Sequence, residues 1–382
     1  PQRSALRNPQ RRMMDMAIEP LRHLAPTSSP APHRPEPPVG PTVQIDPARI
    51  RELTARESER LDARTQGSAA AYERAKRSLV GGVSSSYQKR APWPIYLDRG
   101  QGQYVWDVDG RQYLDVHNGI GSMVQGHAHP IITEAVDRRI RLGSHFAAPT
   151  EDTYIVAEYL AARWGLPRWR FVNSGSEATM DAIRLARGVT GRDGVMKIFG
   201  SYHGHHDYVM VDIGLWVYDG KDRENYPSIA YGKGIPDSVT QMTTAVPFND
   251  AGVLERRLTA LQSEGRLPAC LIMEAAMMNC GVILPEPGYL ADVRRITKKF
   301  GVVWIVDEVK TGLTVAAGGA TELFGIKPDL VCLAKALGAG IPTGAIGGSD
   351  EMWAMVDSGD VYMVGTFNGN PLAMAAARAN LE

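Results

Sequence analysis

The second half of the chain carries short, unbroken apolar runs, each closed by one ionisable residue. Ala269-Cys270-Leu271-Ile272-Met273 runs into Glu274, Val302-Val303-Trp304-Ile305-Val306 into Asp307, and Leu330-Val331-Cys332-Leu333-Ala334 into Lys335. Runs that are apolar at every position predict strands buried on both faces, as in a parallel sheet. From about residue 130 to 345 such runs alternate with segments of helical period, which predicts an α/β sheet. The pattern predicts helices over 151–164, 177–189, 250–263 and 289–299, and strands over 169–173, 195–199, 269–274, 302–307 and 330–334. Upstream, 46–79 reads as helical, with Ile50, Leu53 and Leu61 spaced among charges. The stretches 104–108 and 112–116 alternate on either side of Asp109-Gly110, a hairpin signal. No internal repeat interrupts this order.

Composition narrows the class without choosing a function. At 382 residues the chain is long enough for a sizeable core and two or three domains. Its 42 Lys plus Arg balance 42 Asp plus Glu, so the basic footprint of a nucleic-acid binder is absent. No apolar stretch approaches the roughly 18–20 residues of a membrane span. Three cysteines, Cys270, Cys280 and Cys332, are odd in number, and two lie in predicted strands. That fits a reducing cytoplasm better than a disulfide framework. Residues 1–48 are rich in Pro and Arg and are expected to form a disordered extension.

Ligands of parallel sheets gather at the carboxyl ends of the strands. A carboxylate at one strand end and an amine at another fit pyridoxal phosphate, whose aldehyde bonds a lysine while an Asp holds its ring nitrogen protonated. A phosphate would suit Ser174-Gly175-Ser176, where the strand Arg170–Asn173 turns into a helix and leaves N–H groups open. The same residues would equally make an ordinary Ser N-cap. Tyr202, after Met196-Lys197-Ile198-Phe199, could stack on a planar ring. The cluster Tyr202-His203-Gly204-His205-His206-Asp207 and the segment Gly126-His127-Ala128-His129 match no zinc spacing, so no metal is expected. The glycine-rich Gly338–Gly344 stretch would let backbone pack closely around a bulky ligand.

With these motifs in order and spacing, the chain resembles the class III aminotransferases of the type I pyridoxal-phosphate fold, especially their glutamate-1-semialdehyde aminomutase branch. The likeness rests on Asn173–Ala178, Tyr202–Asp207, Asp307–Gly312, Lys335–Pro342 and Gly365–Pro371, and covers about residues 69–382. It implies a mostly parallel central sheet flanked by helices, with a smaller domain cut short at the C-terminus. The expected division is 1–48 extension, 49–125 helix and hairpin, 126–360 large cofactor-binding domain, and 361–382 the start of the small domain. Lys335 would carry the Schiff base and shuttle the proton, and Asp307 would pair with the ring nitrogen. Tyr202 and Val309 would sandwich the ring, with His203 supporting the stacking loop. Gly175 and Ser176 would bind the phosphate, and Glu274 would sit near the phenolic edge. Thr366 would reach the phosphate of the neighbouring subunit, which implies a homodimer with shared sites.

The resemblance leaves three readings. An aminotransferase would move an amino group between a small amino donor and a carbonyl acceptor. The aminomutase would move it within glutamate-1-semialdehyde, giving 5-aminolevulinate. A catalytically incomplete dimeric homologue would do neither. Departures from the aminomutase pattern favour the first: Gln88 stands where that branch has an Arg, Lys310 where it has a Met, and 213–218 replaces its glycine-rich gating segment. Retention of Lys335 and Asp307 argues against the third.

Overall fold

The expected apolar runs become strands of one seven-stranded sheet in the computed structural model, which describes residues 46–213 and 226–382. The chain divides into two compact units, one up to Arg64 and one from Thr65 onward. In the first, helix α1 (Pro47–Arg64) has no buried residue and carries surface ion pairs such as Arg49–Glu52. All but the last three residues of the expected 1–48 extension lie outside the described residues, as does 214–218 of the replaced gating segment.

The second unit opens with α2 (Gln66–Ala75) and a three-stranded antiparallel sheet, β1 (Leu97–Gln101), β2 (Tyr104–Asp107) and β3 (Gln112–Leu114). The hairpin forms at Asp109-Gly110, and β1 joins it unannounced by the sequence pattern. Next come α3 (Pro130–Leu142), α4 (Glu151–Trp164), β4 (Arg168–Val172), α5 (Gly175–Thr190) and β5 (Val195–Ile198). The order continues with α6 (Asp237–Met242), β6 (Thr243–Val246), α7 (Ala251–Ser263), β7 (Cys270–Met273), α8 (Tyr289–Phe300) and β8 (Val303–Asp307). It closes with α9 (Gly319–Leu323), β9 (Leu330–Leu333), β10 (Gly344–Gly348), α10 (Asp350–Asp357) and α11 (Pro371–Leu381).

The sheet order is β4-β10-β9-β8-β7-β5-β6, and only β10 runs against the rest. Side chains alternate across it, so each apolar run feeds two cores. Cys270 and Ile272 face Ala178, Ala182 and Leu185 of α5. Leu271 and Met273 face Leu254 and Leu258 of α7 and Val293 and Ile296 of α8. A third cluster joins Val156, Leu160 and Trp164 of α4 to Val331 and Leu333 of β9 and Met374 of α11. Each such side chain, fully buried, contributes roughly 1.5–3 kcal/mol. The central strands β7, β8 and β9 are buried along their whole length.

Candidate active site

At the carboxyl edge of the sheet β7, β8 and β9 end side by side, and the residues that close the three apolar runs line one cavity of about 350 Å³. Glu274 follows β7, Asp307 ends β8, and Lys335 lies two residues beyond β9. Asn173, Ser174, Gly175 and Ser176 after β4, with Tyr202, His203 and Gly204 after β5, form its other walls, along with Val309 and Lys310. Of the nine expected residues, only Thr366 lies elsewhere, in the 363–369 segment beside a separate cavity.

The carboxylate of Asp307 is held from two directions. Oδ2 lies 2.7 Å from His203 Nδ1, and Oδ1 accepts from the Val309 N–H at 2.9 Å. Burial pushes the His203 imidazole below its ordinary pKa, with the bond to Asp307 opposing. A neutral His203 therefore donates from Nδ1, and its buried Nε2 has no hydrogen-bond partner among the described residues. Lys335 takes a left-handed backbone, φ 47°, at the start of a single 3₁₀ turn, Lys335–Gly338. Its amine is pushed below the ordinary lysine range, first by burial and then by Lys310, with Asp307 and Glu274 opposing.

The helix start carries the expected Ser N-cap: Ser174 Oγ accepts from the Glu177 N–H at 3.2 Å. The first N–H groups of a helix, here those of Gly175 and Ser176, have no acceptor within the helix. Gly204, at φ +113°, packs against Ser176, where a Cβ would lie 2.7 Å from Ser176 Cα. That contact, with the His205 N–H donating to Ser176 Oγ at 2.8 Å, pins the Tyr202–His203 loop to the helix start.

Glu274 is the least settled group. Burial pushes its carboxyl up to about 7. Lys310 Nζ lies 3.3 Å from Oε1, and Lys310 and the Met278 N–H oppose that rise. Lys310 also sits 5.9 Å over the Tyr202 ring. Gln88, in contrast, turns back on its own segment, its Oε1 accepting from the Ser85 N–H at 3.0 Å, and does not line the cavity.

These features fit pyridoxal phosphate. The cavity offers open helix-start N–H groups for a phosphate, an oriented carboxylate for a ring nitrogen, and an amine with no other partner among the described residues. The buried Glu274 carboxyl, raised toward neutrality, offers a polar group at the cavity wall. A Cβ on Gly175 would come within 2.9 Å of Val309, so glycine there leaves Val309 room at the cavity wall. Sequence reasoning missed Ser122 and Thr343, which also line the cavity. Ser122 follows the irregular turn Asn118–Gly121, which has no periodic signature.

Comparison with known proteins agrees with this geometry. The family model for class-III aminotransferases matches residues 85–382. A glutamate-1-semialdehyde 2,1-aminomutase of Methanocaldococcus jannaschii is 42% identical over 313 residues, 81% of this chain and 71% of that one. An omega-transaminase structure from Sphaerobacter thermophilus superposes with TM-score 0.78 at 36% identity, covering 82% of this chain and 72% of the other. A glutamate-1-semialdehyde aminomutase from Pseudomonas aeruginosa, solved in complex with PMP, gives 0.78 at 31%, covering 88% and 74%.

Proposed function

The chain belongs to the class-III aminotransferase family, which depends on pyridoxal phosphate, and on that premise we propose that it transfers amino groups through Lys335. The observation that carries this reading is the convergence of Lys335, Asp307 and the Gly175–Ser176 helix start on one cavity. When bound, pyridoxal phosphate supplies a carbonyl for an amine and a ring that withdraws electrons. Asp307, held by His203 and the Val309 N–H, keeps a proton on the ring nitrogen; such a charge-assisted bond is worth roughly 1.5–3 kcal/mol. The Gly175 and Ser176 N–H groups hold the phosphate at the helix start. Tyr202 and Val309 bracket the ring. Lys335, its amine made less basic by burial, takes a proton from the substrate carbon and returns it.

Two finer readings share these residues. Transfer within one molecule, from glutamate-1-semialdehyde to 5-aminolevulinate, now stands first, because the curated relatives at about 40% identity carry the aminomutase name. This reverses the order suggested by Gln88 and Lys310. Transfer between a separate donor and acceptor stands second, supported by those two residues and by the likeness to an omega-transaminase. We further propose a homodimer in which Thr366 serves the neighbouring copy's phosphate, and a reducing, cytoplasmic setting for the three unpaired cysteines.

One experiment tests both levels. Borohydride reduction of the chain with pyridoxal phosphate should fix the cofactor on Lys335, read by peptide mass; no adduct at saturation refutes the reading. Glutamate-1-semialdehyde alone should then yield 5-aminolevulinate. A strict requirement for a second, carbonyl substrate would instead select the intermolecular reading.

A further inference from the structure

Beneath the loop that carries Tyr202 and His203 lies a lysine that the proposed chemistry does not use. Lys197 stands in β5 between its parallel neighbours β6 and β7 and is fully buried. Its Nζ donates to the carbonyls of Ser201, at 2.9 Å, and Val211, at 2.7 Å. These two carbonyls bound the segment that contributes Tyr202, His203 and Gly204 to the cavity wall. Asp212, next in the chain and also buried, accepts from the Ile229 N–H through Oδ1, and its Oδ2 has no hydrogen-bond partner among the described residues. The Asp212 carbonyl accepts from the Gly200 N–H at 2.8 Å, closing the base of the same loop from the other side.

An ammonium taken out of water costs several kcal/mol unless it is paired and hydrogen-bonded. An apolar residue would fill this place more cheaply but would leave two buried carbonyls without donors. Lysine alone combines a four-carbon reach from within a strand with several N–H donors. We propose that Lys197 is a positioning residue for the cofactor: its side-chain nitrogen staples the two ends of 201–211, and so holds Tyr202 and His203 against the cavity. This inference rests on the pyridoxal-phosphate reading above.

The titratable groups around the staple are Asp212, Cys280 and Glu274, with His203 on the loop it holds. Burial lowers the Lys197 amine to about 7, with Asp212 opposing. A neutral amine still has N–H donors for both carbonyls, so the staple outlasts this titration.

The test uses the full chain loaded with pyridoxal phosphate and the substitution Lys197→Met, which keeps length and removes every donor. The half-saturating cofactor concentration, read from the visible absorbance band, should rise at least tenfold, and the visible circular dichroism of that band should weaken. Both effects should persist from pH 6 to pH 9. The double variant K197M/D212N, freed of the uncompensated carboxylate, should recover most of the thermal midpoint but not the cofactor affinity. Recovery of both, or K197M saturating within twofold of wild type with unchanged dichroism, would overturn the staple. If neither variant folds, Lys197→Gln takes their place, because its amide nitrogen stands one bond short of the lysine nitrogen and does not span both carbonyls; wild-type saturation there overturns the inference, and a tenfold weaker one sustains it. A wild-type chain that shows no visible band refutes the functional reading itself, whereas a normal wild-type band with unaffected variants refutes only the staple.

Discussion

At the residue scale, three ionisable groups that the sequence sets at three strand ends meet in one cavity, yet their environments separate them. Glu274 shows this most clearly. Burial raises its carboxyl to about 7 from an ordinary 4.5, with Lys310 opposing. A raised carboxyl pKa favours the folded state fully below about 4.5, and that contribution is lost as pH rises through 7, where the folded chain must bury a charge. Glu274→Gln in the cofactor-free chain should therefore change stability little at pH 5 and raise it at pH 8. At about 1.4 kcal/mol per pKa unit the ceiling is about 3 kcal/mol, less whatever attraction Lys310 forfeits. Denaturant midpoints at the two pH values check this, and a gain equal at both would contradict it. The identities of Glu274, Asp307 and Lys335 were legible because an ionisable residue ending an apolar run stands out. The His203–Asp307 bond and the Lys197 staple were not, since both link residues through the fold. The left-handed Lys335 backbone was hidden too; a non-glycine residue there costs of order 1–3 kcal/mol and is found where function sets the geometry.

At the element scale, strands and helices with strong periodicity emerged within a residue or two of their expected ends, and the failures have physical causes. Strand β10, the one antiparallel strand of the seven-stranded sheet, is Gly-Ala-Ile-Gly-Gly, which reads as loop. Glycine is needed there because a Cβ on Gly347 would lie 2.5 Å from the Trp169 ring on β4. Helix α3 was missed although Pro130 stands at its first turn, a usable start signal. Strand β8 also anchors an element beyond itself through Glu308, which is fully buried just after it. The Glu308 carboxylate accepts from Trp164 Nε1, Thr311 Oγ1 and the N–H groups of Ala320 and Thr321 at the start of α9. Gly319 lies so close that a Cβ would sit 2.1 Å from Glu308 Oε2, and its φ is +64°. Gly319→Ala should therefore cost about 2–4 kcal/mol by strain and overpacking. Glu308→Ala, which strands four buried donors, should cost at least about 3 kcal/mol. Chemical denaturation measures both. Either variant within 0.5 kcal/mol of wild type, roughly the scatter of neutral surface changes, would show that α9 is held by other contacts.

At the scale of the whole molecule, the sheet and its helices were legible, but the surface they leave open was not. The segment before α11 exposes Tyr362 at 75%, Val364 at 73% and Phe367 at 54% of their full areas. Phe367 lies 4.9 Å from the ring of His145, and Asn370 Nδ2 donates to the Ser144 carbonyl, so exposed Phe146 belongs to the same patch. Large apolar side chains gathered in one exposed area mark an association surface. Thr366 lies within this segment and outside the cavity of its own chain, as a residue serving another copy would. They support the homodimer proposed above, in which a second copy would cover the patch and Thr366 would serve the neighbouring phosphate site. Phe367→Asp would place an unpaired carboxylate in that interface, a cost of several kcal/mol, and each 1.4 kcal/mol weakens association tenfold. Sedimentation should thus show a wild-type dimer and a largely monomeric variant at micromolar concentration. Cofactor half-saturation should rise in step with dissociation, because the monomer would lack the Thr366 contact. A wild-type monomer that saturates with pyridoxal phosphate would refute the shared site, and a dimeric variant with weakened binding would confine Phe367 to its own chain.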